Sequence, residues 1–300
     1  MTILSPTSID EAVAALADPA IQVLAGGTDF MVEVNAGHRR PDKVLSLRHI
    51  PELRTWEQLP ARDGPVRDGP ARDDPAHVRL GATVTYTDML QPDLAQLLPA
   101  LAHAARTVGS PQIRNAGTIG GNLATASPAG DTLPVLAALE AVVEVASPLG
   151  VRDIPVATFI TGPKRTALSP GELIVAVRLP LLDGHQEFRK IGVRNAMVIA
   201  VASLALAVDT RTRTVRCALG SVGPGPIRAT EAEEWLAGTI DWDRPAATTE
   251  APDLAYFGRL VAGAAQPIDD HRGTAAYRRH AIGVLAERAA AQAFGAGSAA

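Results

Sequence analysis

The chain has 300 residues, 47% of them hydrophobic and 20% charged, with a formal net charge of −4 at pH 7. This is the composition of a globular protein large enough for two domains, and its charge does not indicate nucleic acid or an anionic membrane surface as a partner. The single cysteine, Cys217, excludes an internal disulfide and a zinc or iron–sulfur site held by several cysteines. We find no secretory signal pattern and no apolar run of about 18 residues, so we expect a cytoplasmic chain without a membrane span.

Residues 1 to about 55 have the pattern of a small α/β unit. We predict a capping-box helix from Ser8, a short buried strand at 21–25, another strand at 43–47, and a helix from Phe30 that stops near Gly37. The segment Ala25-Gly-Gly-Thr-Asp29 joins the first strand to the second helix, and backbone N–H groups converge at such a position. The segment is neither a G-x-G-x-x-G fingerprint nor a P-loop, so taken alone it favours a simple helix-entry turn.

A five-residue pattern rich in Pro, Gly and charge repeats three times over residues 61–75. Such a segment cannot bury a core, so we predict a surface loop insertion spanning about 60–77. Strand character resumes at 78–82, and helical segments follow to Leu98 and over 101–106.

The stretch 115–131 contains four glycines, two threonines, two asparagines and a serine, and it ends at Asp131. It offers backbone N–H groups and small hydroxyls but no obvious group for acid, base or nucleophilic chemistry, which suits a phosphate. We predict a glycine-rich loop, followed by a helix that Asp131 caps and that begins at Thr132. A tight-turn loop without a ligand is the alternative, and the length and polarity of the run favour a ligand.

The second half of the chain carries mainly strand patterns and then helical ones. We predict a hairpin at 142–145 and 151–155, a strand at 173–179, an antiparallel sheet from 187–191, 199–208 and 214–219, and helices at 230–236, 254–264 and 277–291. The polar break at 181–185 marks a domain boundary. The fold class is therefore α+β, with one domain over 1–180 (subdomains about 1–55 and 56–180) and a second over 186–292.

Several motifs together resemble, in order, the FAD-binding subunit of the molybdenum hydroxylases, which include carbon monoxide dehydrogenase medium subunits and the flavin part of xanthine dehydrogenase. These motifs lie at 25–29, 109–115, 118–128, 131, 166–174, 188–192 and 277–280. The resemblance spans the chain except for residues 60–77. It implies a two-subdomain FAD-binding domain of the vanillyl-alcohol oxidase (PCMH) type, followed by a small α+β domain like that of carbon monoxide dehydrogenase flavoproteins.

The same resemblance implies that FAD lies between the subdomains. The implied FAD-binding residues are Val23, Leu24, Ala25, Gly26, Gly27, Thr28, Asp29, Phe30, Thr118, Ile119, Gly120, Gly121, Asn122, Thr125, Asp131, Ile174 and Lys190. Residues 118–122 would cradle the pyrophosphate, and Asp131 would cap a helix or bind a ribose hydroxyl. A core strand residue at Ile174 and a solvated lysine at Lys190 remain equal alternatives. Val108 stands where some relatives place an aromatic ring over the flavin.

The implied function is electron transfer, without a catalytic side chain or a metal ligand on this chain. The flavin would receive electrons from an iron–sulfur small subunit and pass them to NAD⁺, oxygen or a quinone, while a molybdopterin-binding large subunit holds the substrate, in a dimer of heterotrimers. A stand-alone FAD oxidase of the alcohol-oxidase group remains open, although neither glycine segment contains a His or Cys for covalent flavin attachment. An assembly or scaffold protein without cofactor also remains open, although both glycine pairs are intact.

Overall fold

The computed structural model describes residues 1–61, 75–243 and 253–294. The predicted loop insertion therefore lies mostly outside the described residues. In the described ranges, no helix combines the length and the apolar character that a bilayer span requires.

The N-terminal unit is a three-stranded parallel sheet with two connecting helices. Its elements are β1 (Thr2–Leu4), α1 (Ile9–Ala15), β2 (Ile21–Leu24), α2 (Phe30–Asn35) and β3 (Lys43–Ser46), in the strand order β1-β3-β2. The predicted capping box is confirmed, since the Ser8 hydroxyl accepts the Glu11 N–H at 3.2 Å while the Glu11 carboxylate accepts the Thr7 N–H at 2.8 Å. The segment after β2 lies at the carboxyl edge of this sheet, because its three strands are parallel.

The middle of the chain forms a five-stranded antiparallel sheet in the order β4-β5-β10-β6-β7. Its strands are β4 (Trp56–Leu59), β5 (His77–Gly81), β6 (Val142–Ser147), β7 (Gly150–Pro155) and β10 (Leu173–Pro180), and the small hairpin β8 (Ile160–Gly162) and β9 (Arg165–Thr166) stands beside it. The helices are α3 (Pro92–Leu97), α4 (Pro99–Thr107), α5 (Pro111–Ala116), α6 (Ile119–Thr125), α7 (Thr132–Ala138) and α8 (Val156–Phe159). The central strand β10 is apolar and almost wholly buried, and one core joins this sheet to the N-terminal unit.

The last third of the chain is a four-stranded antiparallel sheet covered by helices. Its elements are β11 (Gln186–Ile191), β12 (Ala202–Asp209), β13 (Thr214–Gly220), β14 (Ile227–Arg228), α9 (Thr230–Thr239), α10 (Leu254–Ala264) and α11 (Ala275–Ala293). A second core lies between this sheet and the helices, and it includes the fully buried Cys217 on β13. Helices α4 and α7 of the preceding region pack against the strands of this sheet.

The structure differs from the sequence prediction most clearly in the glycine-rich stretch. We predicted a loop from 115 to 131, but α6 lies inside it: the Thr118 hydroxyl accepts the Gly121 N–H at 3.0 Å, and left-handed Ala126 ends the helix. Glycine lowers helix propensity by about 1 kcal/mol per residue relative to alanine, which is why the sequence pattern concealed this helix. A smaller error concerns β12, which begins at Ala202 and leaves Ile199 exposed.

Candidate functional site

A cavity of about 440 Å³ is bordered by the N-terminal sheet, α6 and the start of β10. Its volume lies in the range of small-molecule sites. Its lining residues are Val23, Ala25, Gly26, Gly27, Thr28, Asp29, Phe30, Glu33, Arg39, Leu47, Ala82, Thr118, Gly120, Gly121, Asn122, Ala124, Thr125, Lys164, Leu168, Glu172, Leu173 and Ile174. Both predicted glycine segments and Ile174 therefore border one cavity, although they are far apart in sequence.

The segment after β2 supplies backbone donors to this cavity. Among the described residues, the amide N–H groups of Gly26, Gly27 and Thr28 donate to no protein acceptor. These groups lie between the end of β2 and the start of α2 and are only partly exposed. Unpaired N–H groups converging before a helix favour an anionic ligand.

The backbone N–H groups at the start of α6 already donate to acceptors within the protein, so they are not free to bind a ligand. This differs from our expectation of an array of free N–H groups in this stretch. Ile119 and Gly120 donate to the carbonyls of Val84 and Ala82 at 3.0 and 2.9 Å. Gly121 donates to its capping hydroxyl, and the Asn122 N–H donates to the Thr118 carbonyl at 3.0 Å. What α6 offers a ligand is therefore a surface of small residues and the polar side chains near its end.

The glycines at this cavity have two different roles. A Cβ at Gly26 would lie 1.8 Å from the carbonyl oxygen of Ala116, and a Cβ at Gly120 would lie 2.7 Å from atoms of Ala82. A Cβ at Gly121 would meet only the Thr118 hydroxyl, at 3.0 Å. Gly26 and Gly120 are thus required for close backbone packing, whereas Gly121 keeps space open in the cavity.

We expect Gly26→Ala to destabilise the chain by about 3 kcal/mol or more, because its methyl group would overlap main-chain atoms that cannot rotate away. Urea unfolding of the wild type and the variant measures this difference. Gly37→Ala is the matched control, since a Cβ there meets nothing within 4 Å, although the φ of +73° adds some strain. A Gly26→Ala variant as stable as that control would contradict the assigned packing role.

Polar side chains connect the two glycine segments. The Thr125 hydroxyl at the end of α6 donates to the Asp29 carboxylate at 3.3 Å. The Thr132 hydroxyl donates to the Asn122 side-chain oxygen at 2.5 Å, which fixes the orientation of that amide beside the cavity. These bonds hold α6 against the N-terminal unit and against α7.

The opposite part of the cavity is apolar and lies at the start of β10. Leu168, Leu173 and Ile174 line it. The pairing of β10 with β6 shifts register between Ile174 and Ala176, and irregular pairing of this kind changes the direction in which side chains point. Ile174 is both a core residue and a lining residue of the cavity, so the core alternative is confirmed and contact with the cofactor stays a prediction.

Sequence reasoning missed four charged residues at the cavity, namely Glu172, which pairs with Arg152, and three that form one cluster. The Glu33 carboxylate on α2 forms an ion pair with the Arg39 guanidinium at 2.8 Å, and the Lys164 ammonium lies 3.9 Å from the same carboxylate. The Arg39 guanidinium also lies 4.8 Å from the centre of the Phe30 ring. Arg39 and Glu33 are near in sequence, but only the hairpin turn between β8 and β9 brings Lys164 to them.

Asp131 and Lys190 do not line the cavity. They form a buried ion pair of 2.6 Å, with 6% and 7% of their side chains exposed, and Thr107 adds a hydrogen bond to the carboxylate at 3.2 Å. Our expectation that Asp131 caps α7 is wrong, because its side chain bonds to no helix amide there, and the solvated-lysine alternative for Lys190 is wrong as well. The pair joins the loop before α7 to β11.

Burial affects the protonation of the groups around this ion pair. Burial raises the pKa of the Asp131 carboxyl, and the Lys190 ammonium and the Thr107 hydroxyl oppose that rise. Burial also raises the pKa of the Tyr86 phenol, with smaller contributions from Asp131 and Asp29. The tyrosine ring packs against Gly117, just before α6. The Asp131 carboxyl and the Tyr86 phenol therefore share a poorly solvated region behind the cavity.

Two of the remaining predicted residues do not line the cavity. Ile119 is fully buried in the core, and Leu24 lies in β2 but does not border the cavity. Val108 follows α4 and packs against the core. Within the ranges that the structure describes, no group of three His, Cys, Asp or Glu side chains is placed to hold a metal ion.

The sequence of this chain matches two family descriptions along almost its whole length. Residues 1–182 match the FAD binding domain in molybdopterin dehydrogenase, and residues 186–293 match the CO dehydrogenase flavoprotein C-terminal domain. The chain is 32% identical to a glyceraldehyde dehydrogenase medium chain of Sulfolobus acidocaldarius over 89% of its length and 88% of the relative. It is 31% identical to a xanthine dehydrogenase FAD-binding subunit of Escherichia coli O157:H7 over 76% of both chains.

A solved structure agrees with these sequence matches. The fold matches carbon monoxide dehydrogenase from Hydrogenophaga pseudoflava with a TM-score of 0.82 at 28% identity, covering 99% of this chain and 97% of that one. The match confirms the predicted α+β fold and the family resemblance. The family description and the name of the xanthine dehydrogenase relative identify FAD as the cofactor. The chain therefore belongs to the FAD-binding medium subunits of the molybdenum hydroxylases, and it is a subunit of an oxidoreductase.

Proposed function

We propose that this subunit relays electrons from iron–sulfur clusters of a partner subunit through FAD to an acceptor such as NAD⁺, oxygen or a quinone. The bound flavin supplies the redox chemistry, and the protein binds and orients it. The observation that carries the proposal is the cavity in which the unpaired amides of Gly26, Gly27 and Thr28 border the side-chain-free surface at Gly121. A diphosphate requires both donors and close approach of the backbone.

The residues of the cavity fit FAD in two parts. The amides of residues 26–28 and the surface at Gly121 would hold the diphosphate, with Asn122 and Thr125 as neighbouring polar groups. The apolar surface of Leu168, Leu173 and Ile174 would take the adenine. Asp131 and Lys190 do not line the cavity and would contribute indirectly, because their ion pair fixes the loop before α7.

The two alternative functions receive less support from the cavity. None of the lining residues in the described chain is a His or Cys, so covalent flavin attachment of the kind common in alcohol oxidases has no candidate residue there. All three carboxylates of the lining already have partners within the protein. Glu33 and Glu172 form ion pairs with arginines, and Asp29 accepts a hydrogen bond from Thr125. A scaffold protein without cofactor would not need an open space at Gly121.

The names of the relatives also indicate which subunits this chain assembles with. They are named as medium chains or FAD subunits of dehydrogenases. We infer that this chain assembles with an iron–sulfur small subunit and a molybdopterin-binding large subunit, as a dimer of heterotrimers in the cytoplasm. The substrate site would then lie on the large subunit.

Affinity purification of the tagged full chain from the organism that encodes it tests this function. We expect about one FAD per chain, and iron and molybdenum in the fractions that also contain two further polypeptides. Reduction of the flavin by substrate should require those polypeptides. A preparation without flavin would support the scaffold alternative, and oxidation of a small alcohol by the isolated chain would support the oxidase alternative.

A further inference from the structure

We propose that Arg39 and Lys164 are the cationic part of the diphosphate site and that Glu33 competes with the diphosphate for both of them. This inference rests on the proposed placement of FAD in the cavity. It assigns a function to three charged residues that lie outside both glycine segments.

The geometry places both cations on the cavity and on a single carboxylate. Arg39, Lys164 and Glu33 all belong to the lining. The two oxygens of Glu33 are shared, since Arg39 lies 2.8 Å from Oε2 and Lys164 lies 3.9 Å from Oε1. The longer distance to Lys164 leaves this ammonium free to face another anion.

Contacts with neighbouring residues hold both cations near the cavity. The Lys164 N–H donates to the carbonyl of Ala126, the left-handed residue that ends α6, at 3.0 Å. Arg39 is held by Phe30, whose ring lies below the guanidinium and is itself buried. Each cation therefore contacts an element that also supplies lining residues, α6 for Lys164 and α2 for Arg39, which limits the entropy lost when a ligand binds.

The charge of the lining explains why cations are needed. The lining contains the acids Asp29, Glu33 and Glu172 and the bases Arg39 and Lys164. Glu172 is neutralised from outside the cavity by Arg152 at 2.7 Å. If both cations remain paired with Glu33, the negatively charged diphosphate has no cationic partner among the lining residues. If the diphosphate takes them, charge-assisted hydrogen bonds replace a partly exposed ion pair of small value.

Glu33 should therefore weaken FAD binding rather than support it. A Glu33→Gln substitution removes a negative charge from the cavity and releases both cations. We expect about threefold tighter binding of FAD by this variant, and about fivefold weaker binding for each of Arg39→Gln and Lys164→Gln. The opposite signs distinguish competition from a purely structural role, in which all three changes would weaken binding.

The chain provides a matched control for each cation. Arg40 and Arg165 are exposed neighbours of Arg39 and Lys164 in sequence and do not line the cavity. Arg40→Gln and Arg165→Gln change the net charge by the same amount. We expect both controls to keep the dissociation constant of FAD within about twofold of the wild type, because exposed charges at longer range are screened by salt.

The test is a titration of the flavin-free full chain with FAD, in which flavin fluorescence reports binding, repeated at several sodium chloride concentrations. The Arg39→Gln/Lys164→Gln variant should bind FAD with a weaker dependence on salt than the wild type. Unchanged melting temperatures of the flavin-free variants would show that they fold. Weaker binding by Glu33→Gln, or equal effects of the cation variants and their controls, would overturn the inference. A wild-type chain that binds no FAD would instead overturn the proposed function.

Discussion

Gly121→Val is expected to reduce FAD binding by at least about tenfold, equivalent to about 1.4 kcal/mol, while the chain still folds. The reason is the open space at this position, where a Cβ meets only the Thr118 hydroxyl. The two γ-methyl groups of valine would extend into the cavity that the diphosphate is proposed to occupy. The ratio of flavin to protein absorbance after purification, and FAD titration of the flavin-free chain, measure the effect.

Two further variants make this result interpretable. Gly121→Ala should raise the unfolding free energy of the flavin-free chain by up to about 1 kcal/mol, because alanine favours the helix, and should weaken FAD binding less than valine does. Gly120→Val should fail to fold stably, since its Cβ would overlap Ala82. Undiminished FAD binding by a folded Gly121→Val chain would refute the assignment of this surface to the cofactor.

Lys190→Met is expected to lower the unfolding free energy by about 3–5 kcal/mol near neutral pH, the usual cost of leaving a buried charge without its partner. The partner is Asp131, which retains only the Thr107 hydroxyl as a donor to the same oxygen. Denaturant unfolding of both chains measures the loss. The substitution Asp131→Asn combined with Lys190→Met should recover most of it, because no uncompensated charge then remains.

The pH dependence of the same variant follows from the pKa of Asp131. Burial already raises this pKa in the wild type, and loss of the Lys190 ammonium raises it further. A carboxyl whose folded pKa exceeds its unfolded pKa stabilises the fold at low pH, and that stabilisation is lost as the pH rises through the folded pKa. The deficit of Lys190→Met relative to the wild type should therefore be smaller at pH 5 than at pH 7.5. An equal deficit at both pH values would show that the Asp131 charge is not its cause.

The sequence predicted elements whose signals are local. Ser8 and Glu11 form their capping box within one turn, and the apolar run of β10 predicts a strand without knowledge of its neighbours. For these features the physical requirement and the residues that satisfy it lie in the same few positions.

The features that the sequence did not predict depend on contacts between distant segments. Helix α6 exists despite two adjacent glycines because Ile119 and Gly120 donate to carbonyls beside β5. Asp131 and Lys190 stand 59 residues apart, and their burial follows from the docking of β11 on α4. Lys164 reaches Glu33 only because a hairpin turn carries it there. No local pattern distinguishes such residues from solvated ones.

The packing of α4 and α7 on the second sheet has a consequence for chimeric subunits. A chimera that exchanges only the segment after residue 185 between relatives would pair a foreign β11 with the native α7 loop, and Asp131 would depend on a lysine supplied by the donor sequence. The segment after residue 185 therefore cannot be exchanged independently of the α7 loop that it contacts. Exchanges that carry the stretch from α4 to the end of the chain as one block keep this contact within a single parental sequence.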